Sequence, residues 1–227
     1  MKKLFVGLFL LCFCTAAHAG ITISLLPKKE HTALVAKIGY KLLNENRIPY
    51  KITFVVSNKK YANAATYYTN NEIMVTTPLI EAMDKEDELA AVLAHEISHG
   101  VDYRQGVFKG YFTYLTTHLA SKKYEYKADK RAVDYLVKAG YNPVASIVAL
   151  NKIAPQTRFD CFSSHPLTTR RMAEIYEYIY TKYPQYLVQN EYKNNPIYQN
   201  FLLTSRENRE KLEKKINSNS KRKVNYL

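Results

Sequence analysis

The chain has 227 residues, 47% of them hydrophobic and 23% charged, with a formal net charge of +13. These figures exclude a disordered chain and fit one domain of ordinary size, with too little length for two. The basic excess favours anionic partners in general, but no zinc-finger or helix-turn-helix pattern accompanies it. Nucleic-acid binding is therefore not expected, and the charge reads mainly as a solvated surface.

The N-terminus has the pattern of an export leader. Met1-Lys2-Lys3 is basic, Leu4 to Cys14 is apolar, and Ala17-His18-Ala19 supplies the small residues that a signal peptidase reads. Residues 1–19 are expected to be a signal peptide and the mature chain to reach the periplasm. The apolar run is too short to favour a membrane-spanning helix. Bulky Leu11 and Phe13 before Cys12 and Cys14 argue against a lipoprotein. Cleavage would leave Cys161 as the single cysteine, so no internal disulfide framework is available.

Leu34, Val35, Ile38, Leu42 and Leu43 recur at helical spacing and predict a helix over 29–45. Pro49 separates it from a β-branched and aromatic strand, Tyr50 to Val56. A short strand is expected near Ala65 to Tyr68, and another over Glu72 to Thr76, ended by Pro78. After a helical turn at 79–83, Asp84 is expected to cap a longer helix. Glu86, Asp87 and Glu88 occupy its first turn, where acids favour a helix N-terminus, and it should end near Gly106. Residues 107–120, with Phe108, Tyr111, Phe112, Tyr114 and His118, read as a packed aromatic loop or short helix, a lid being the alternative. A helix from Ser121 is stopped by Gly140, Asn142-Pro143 opens the next, and a further one runs from Pro166 to about Tyr183. Beyond Pro184 the chain is polar and basic, helical at most over 205–217 and frayed after that. The fold class expected is α+β, with a small sheet and packed helices in a domain over 20–185 and a basic C-terminal tail over 186–227.

The predicted central helix carries His95-Glu96-Ile97-Ser98-His99. Residues i and i+4 share a helix face, so His95 and His99 can offer both imidazoles to one zinc ion. Glu96 is rotated by about 100° from His95, away from a ligand position but within reach of a water beside the ion, where a general base belongs. The bland alternative is a solvated helix face with one satisfied core histidine. A catalytic zinc usually takes three protein ligands and keeps one position open. No further histidine follows in Gly100 to Gln105, which excludes the three-histidine class and leaves a carboxylate from a second helix. Glu125 and Asp129, again at i and i+4, can close the zinc shell and fix the tautomer of a ligand histidine respectively. Alternatively they form an acidic surface face beside Lys122, Lys123, Lys127 and Lys130.

The ordered set HEISH, EYKAD, KAGYNP and SSHPLTTRR resembles the zinc metallopeptidases that include the CAAX prenyl endopeptidases, the HtpX-like proteases and the mitochondrial Oma-type proteases. The leader and small size look most like the exported bacterial members. The segment YANAATYYTNNEIMVTTPLI is similar to the family's Asn-Ala segment and following edge strand, and the likeness covers roughly residues 30 to 180. The resemblance implies a predominantly helical, zincin-type (gluzincin) domain holding one Zn2+ through His95, His99 and Glu125, with Glu96 as base. It implies Asp129 and Arg171 as supports behind the ligands and His165 as the donor that stabilises the oxyanion.

An edge strand beside the cleft, with Ile73, Met74 and Val75, could bind extended polypeptide by strand addition, or be an ordinary strand. The function expected is zinc-dependent endopeptidase activity on unfolded or extended segments of exported proteins, in envelope quality control. The alternatives are a catalytically silent, zinc-stabilised client-binding protein and an envelope-surface protein whose basic tail, Lys211 to Lys223, governs attachment to anionic lipids or nucleic acid. The sequence carries no signal for oligomeric state.

Overall fold

The computed structural model describes residues 28–106, 121–154 and 168–226. The leader, the aromatic stretch 107–120, Cys161, His165 and the expected helix start at Pro166 lie outside the described residues. Helix α1 (Lys29–Glu45) buries Val35, Ile38, Leu42 and Leu43, the stripe that its periodicity predicts. It crosses strand β1 (Thr53–Ser57) at Gly39, where a Cβ would stand only 2.5 Å from the Phe54 ring. The absence of a side chain there sets the distance between helix and sheet.

Strands β2 (Ala64–Tyr67) and β3 (Glu72–Thr76) complete a three-stranded sheet in the order β1-β3-β2. β1 runs parallel to β3 with Val56 opposite Val75, and β2 runs antiparallel to it with Thr66 opposite Ile73. Ile73, Met74 and Val75, expected on an edge, thus lie on the central strand. Both sides of that backbone are already paired and all three side chains are buried, so β3 offers no free ladder to a substrate. The edge strands are β1 and β2. The reason is the hairpin: turning back after Tyr67 lets β3 slot between β1 and β2, and Asn71 supports the turn in a left-handed conformation (φ 52°).

Short α2 (Thr77–Ala82) begins with Pro78 in its first turn, so that proline opens a helix as well as closing the strand. Helix α3 (Glu86–Arg104) is the axis of the molecule. Leu89 to Ala94 are buried on every face, as expected for a helix that is apolar all round, and α3 packs against α1, β2 and two later helices. Its first-turn acids fasten three neighbours: Glu86 accepts from Lys37 and from the Tyr141 hydroxyl, Asp87 from the Asn142 N–H, and Glu88 from Lys152. Asp84 makes no cap to this helix. The Glu88 carboxylate reaches back to the Asp84 N–H at 3.0 Å, while the Asp84 carboxylate pairs with Lys152.

Helix α4 (Ser121–Lys138) ends at Gly140, whose φ of 73° closes two reverse bonds, Tyr141 N–H to the Leu136 carbonyl and Gly140 N–H to that of Val137. Asn142 Oδ1 then accepts from the Val144 N–H before α5 (Ala145–Ile153). Helix α6 (Thr168–Lys182) lies along α4, tied to it by Lys130–Glu174 and by the hydroxyls of Tyr178 and Tyr183 on Asp134.

Past Pro184 the chain is more structured than its polarity implied. Helices α7 (Gln185–Val188), α8 (Pro196–Thr204) and α9 (Arg206–Asn217) follow one another, and Tyr192, Tyr198 and Phe201 are buried in the common core. Asn195 caps α8 by accepting from the N–H groups of Ile197 and Tyr198. The last residues run back over α6, with Lys223 on Glu174 at 3.0 Å and the Tyr226 hydroxyl on Glu177. A few aromatic anchors dock this segment, which average polarity over a window conceals. Among the described residues no helix is long and apolar enough to cross a membrane.

The close crossing at Gly39 has a measurable consequence. Gly39→Ala gains about 1 kcal/mol of helix propensity but overpacks against Phe54 at a cost of about 1–3 kcal/mol. Thermal denaturation should show a net loss of Tm, partly recovered by adding Phe54→Leu.

Candidate active site

Two buried clamps set the register of α3 against α4. Asp102, fully buried near the end of α3, holds Lys127 at 2.9 Å and Arg131 at 2.7 Å, and Arg131 also donates to the Ser98 carbonyl at 3.1 Å. One turn earlier, His95 and His99 face Glu125 and Asp129 across the helix pair. The His95 and His99 Nε2 atoms stand 3.0 Å apart, and Glu125 places Oε1 at 3.2 Å from His99 Nε2 and Oε2 at 3.5 Å from His95 Nε2.

This triangle can be tested against the ion that the donors would hold. Ligands about 2.0–2.1 Å from a tetrahedral Zn2+ stand about 3.3–3.4 Å from one another. The separation of the two nitrogens and the approach of one Glu125 oxygen to each lie within a few tenths of an ångström of that value, and nitrogen with carboxylate oxygen is a donor set that suits zinc. The residues present therefore fit a divalent metal.

The supports behind the triangle are equally defined. His95 Nδ1 lies 2.9 Å from Asp129 Oδ1, the separation of an N–H donating to a carboxylate, which leaves the Nε2 lone pair for a metal. Arg171, buried on α6, forks onto Asp129 with Nε on Oδ2 at 2.8 Å and Nη2 on Oδ1 at 2.7 Å. Its third nitrogen, Nη1, reaches Glu125 Oε2 at 2.9 Å. The guanidinium is thus occupied by the two carboxylates that frame the histidines.

The charge balance explains the protonation of the site. Burial opposes a charge on His95, but the Asp129 and Glu125 carboxylates outweigh it and push its pKa up to about 10. Burial likewise opposes ionisation of Asp129, and Arg171 and His95 more than reverse it, holding that carboxyl below its ordinary value. A metal binds the neutral imidazole, so protonation of the histidines competes with metal at low pH.

Glu96 lines the same cavity as Glu125. Its Oε2 accepts from the Thr66 hydroxyl at 2.7 Å, and its backbone carbonyl lies 2.9 Å from the same hydroxyl. Tyr68, stacked on Tyr103 with centroids 4.7 Å apart, lines the same wall, and burial together with Glu96 and Glu125 pushes its phenol up to about 12. A cavity of about 530 Å³ opens from the triangle. Asn63 and Ala64 of the β2 side form part of its wall, and Leu79, Val92, Leu150 and Ile153 give it an apolar interior.

Of the residues singled out from the sequence, the structure brings together His95, Glu96, His99, Glu125, Asp129 and Arg171. His165 lies outside the described residues, and Ile73, Met74 and Val75 stay in the sheet interior. Thr66 and the Asp102 clamp were not foreseen. Thr66 is thirty residues from Glu96 and carries no motif of its own, whereas Asp102, an acid on the helix of the two histidines, opposite a lysine- and arginine-rich one, was a usable signal.

Comparison with known proteins points the same way. The sequence profile described as Peptidase family M48 matches residues 29–105 and 103–179 in two overlapping stretches. A Beta-barrel assembly-enhancing protease of Yersinia pestis is 24% identical over 184 residues, covering 63% of this chain and 38% of that protein. The Protease HtpX homolog 1 of Sulfolobus acidocaldarius is 39% identical over 66 residues, 28% of this chain and 21% of that one. The chain thus spans well under half the length of either relative.

Asp129 offers the direct test of this arrangement. Asp129→Asn keeps the shape but removes the charge that orients His95, so affinity for Zn2+, measured by chelator competition, should fall about 10- to 100-fold. Circular dichroism should show the helix content retained.

Proposed function

This chain belongs to peptidase family M48, and from that premise we propose that it is a zinc-dependent endopeptidase with a zincin-type site on α3. The observation that carries the reading is the triangle of His95, His99 and Glu125 beside the carboxylate of Glu96. When bound, zinc supplies Lewis acidity toward the scissile carbonyl and toward water. The chain's own residues do the rest. His95 and His99 present Nε2, Asp129 keeps the hydrogen of His95 on Nδ1, and Arg171 holds Asp129 ionised and Glu125 in place. Glu96, with Oε2 engaged by Thr66, takes a proton from the attacking water on Oε1 and delivers it to the departing amine. His165 is proposed as the donor to the oxyanion.

Substrate recognition is proposed to rest on backbone. Edge strand β2 begins in the cavity wall at Ala64, and an extended segment adding to its free edge would have its side chains alternate between the two faces of the sheet. Unfolded or extended polypeptide is the substrate class that this suits. The leader-like segment of residues 1–19 supports export to the periplasm. The name of the Yersinia pestis relative, an assembly-enhancing protease, supports a role in envelope quality control. Peripheral contact with anionic lipid is included, supported by the exposed Lys214, Lys221 and Arg222. It is narrower than the whole basic run, because Lys215 and Lys223 are engaged by Glu177 and Glu174.

The test compares purified wild type with Glu96→Gln on an unfolded protein, with zinc counted in both. One zinc per chain in each, with cleavage reduced about 10²- to 10⁴-fold in the variant, is the expected result. Equal cleavage by the two would remove Glu96 from the chemistry. Zinc retention with no cleavage by either protein would favour the client-binding alternative.

A further inference from the structure

A glutamate on a helix facing a cleft has three side-chain rotors, and a proton acceptor is useful only in the conformer that meets the attacking water. The i, i+4 geometry of α3 fixes where the Glu96 Cβ points but not the carboxylate. Something outside the helix must hold it.

The structure assigns this role to Thr66: we propose that the β2 hydroxyl is a positioning residue for the Glu96 carboxylate. The hydroxyl lies 2.7 Å from Glu96 Oε2 and 2.9 Å from the Glu96 backbone carbonyl, so it spans the base of the side chain and its tip. The threonine is itself held. Its backbone is in the β2–β3 ladder opposite Ile73, and its methyl packs toward α3 at Gly100, 3.7 Å from where a Cβ on that glycine would stand. With Oε2 taken by a neutral donor, Oε1 becomes the oxygen that receives the proton. Among the described residues no other side chain donates to Glu96. Neighbouring α3 side chains offer no substitute: His95 and His99 are turned toward Glu125.

The placement also joins two parts of the site. Thr66 belongs to the strand whose outer side is proposed to take substrate, so the segment that receives the polypeptide is the one that orients the base. Small displacements of β2 are thereby transmitted to Glu96 through a single hydroxyl. The inference rests on Glu96 acting as the proton acceptor.

The experiment uses the full mature chain with zinc bound and compares wild type, Thr66→Val, Thr66→Ser and Glu96→Gln on one fluorogenic unfolded substrate. Valine keeps the branched shape and suits a strand, while serine keeps the hydroxyl. In Thr66→Val, kcat should fall about tenfold to a hundredfold, with KM, zinc stoichiometry and Tm unchanged. Thr66→Ser should return kcat to within about threefold of wild type. Wild-type kcat in Thr66→Val, alongside an inactive Glu96→Gln, overturns this inference alone. Loss of zinc or of Tm in step with activity, or failure of serine to restore kcat, also overturns it, because Thr66 would then be structural. A fully active Glu96→Gln overturns the general-base reading itself.

Discussion

Two carboxylates and two imidazoles share one buried wall, and they coexist because Arg171 lies behind them. Desolvation would drive Asp129 toward its neutral form, which cannot fix a histidine tautomer as a carboxylate does. The guanidinium has enough donors to fork onto Asp129 and still reach Glu125. Lysine, a point charge, lacks the planar fork that takes both oxygens of Asp129. Removing one partner of such a buried ion pair typically costs about 3–5 kcal/mol, because the other charge stays behind uncompensated. The site is therefore bound to the fold: the helix that bears Arg171 must lie along the helix that bears the two carboxylates.

The rest of the architecture serves that requirement. Helix α3 is buried on all sides, so its rotation is fixed by packing and its histidines cannot drift from Glu125. Asp102 locks α3 to α4, the pairings of Glu174 and Asp134 lock α4 to α6, and the C-terminal residues lie over the latter pair. Lys223 sits 5.2 Å from the centroid of the Tyr126 ring, next in sequence to Glu125. The polar contacts thus run as a continuous series from the core of α3 to the end of the chain. On the other flank the sheet closes the cleft and Thr66 meets Glu96.

Much of this was legible in the residues. The helix over 29–45 and the strand over 72–76 appear with the bounds predicted for them, the helix because burial of one face writes its period into the chain, the strand because a short apolar run is stopped by Pro78. The i, i+4 pairs His95/His99 and Glu125/Asp129 were visible for the same reason. The strand over 50–56 was misplaced by a few residues, since its ends depend on where pairing to β3 stops. The reading of Asp84 as a cap failed because Lys152, far along the chain, competes for its carboxylate. The segment after Pro184 was underestimated because a handful of tyrosines and one phenylalanine outweigh many polar neighbours once a groove exists to receive them.

By itself the sequence determined most of the described helices and strands before Pro184 and which of their side chains share a face, for both follow from interactions spanning about four residues. It also determined the chemical kind of the donors. Only the tertiary structure decided that Ile73 to Val75 form the middle strand and not an edge, that Thr66 meets Glu96, and that one guanidinium serves both carboxylates of α4. Those choices couple residues of different elements, from 7 to 19 positions apart in the sheet and thirty or more at the site. Their partners are selected by packing, where shape, burial and charge must be satisfied at once, and no local period records the outcome.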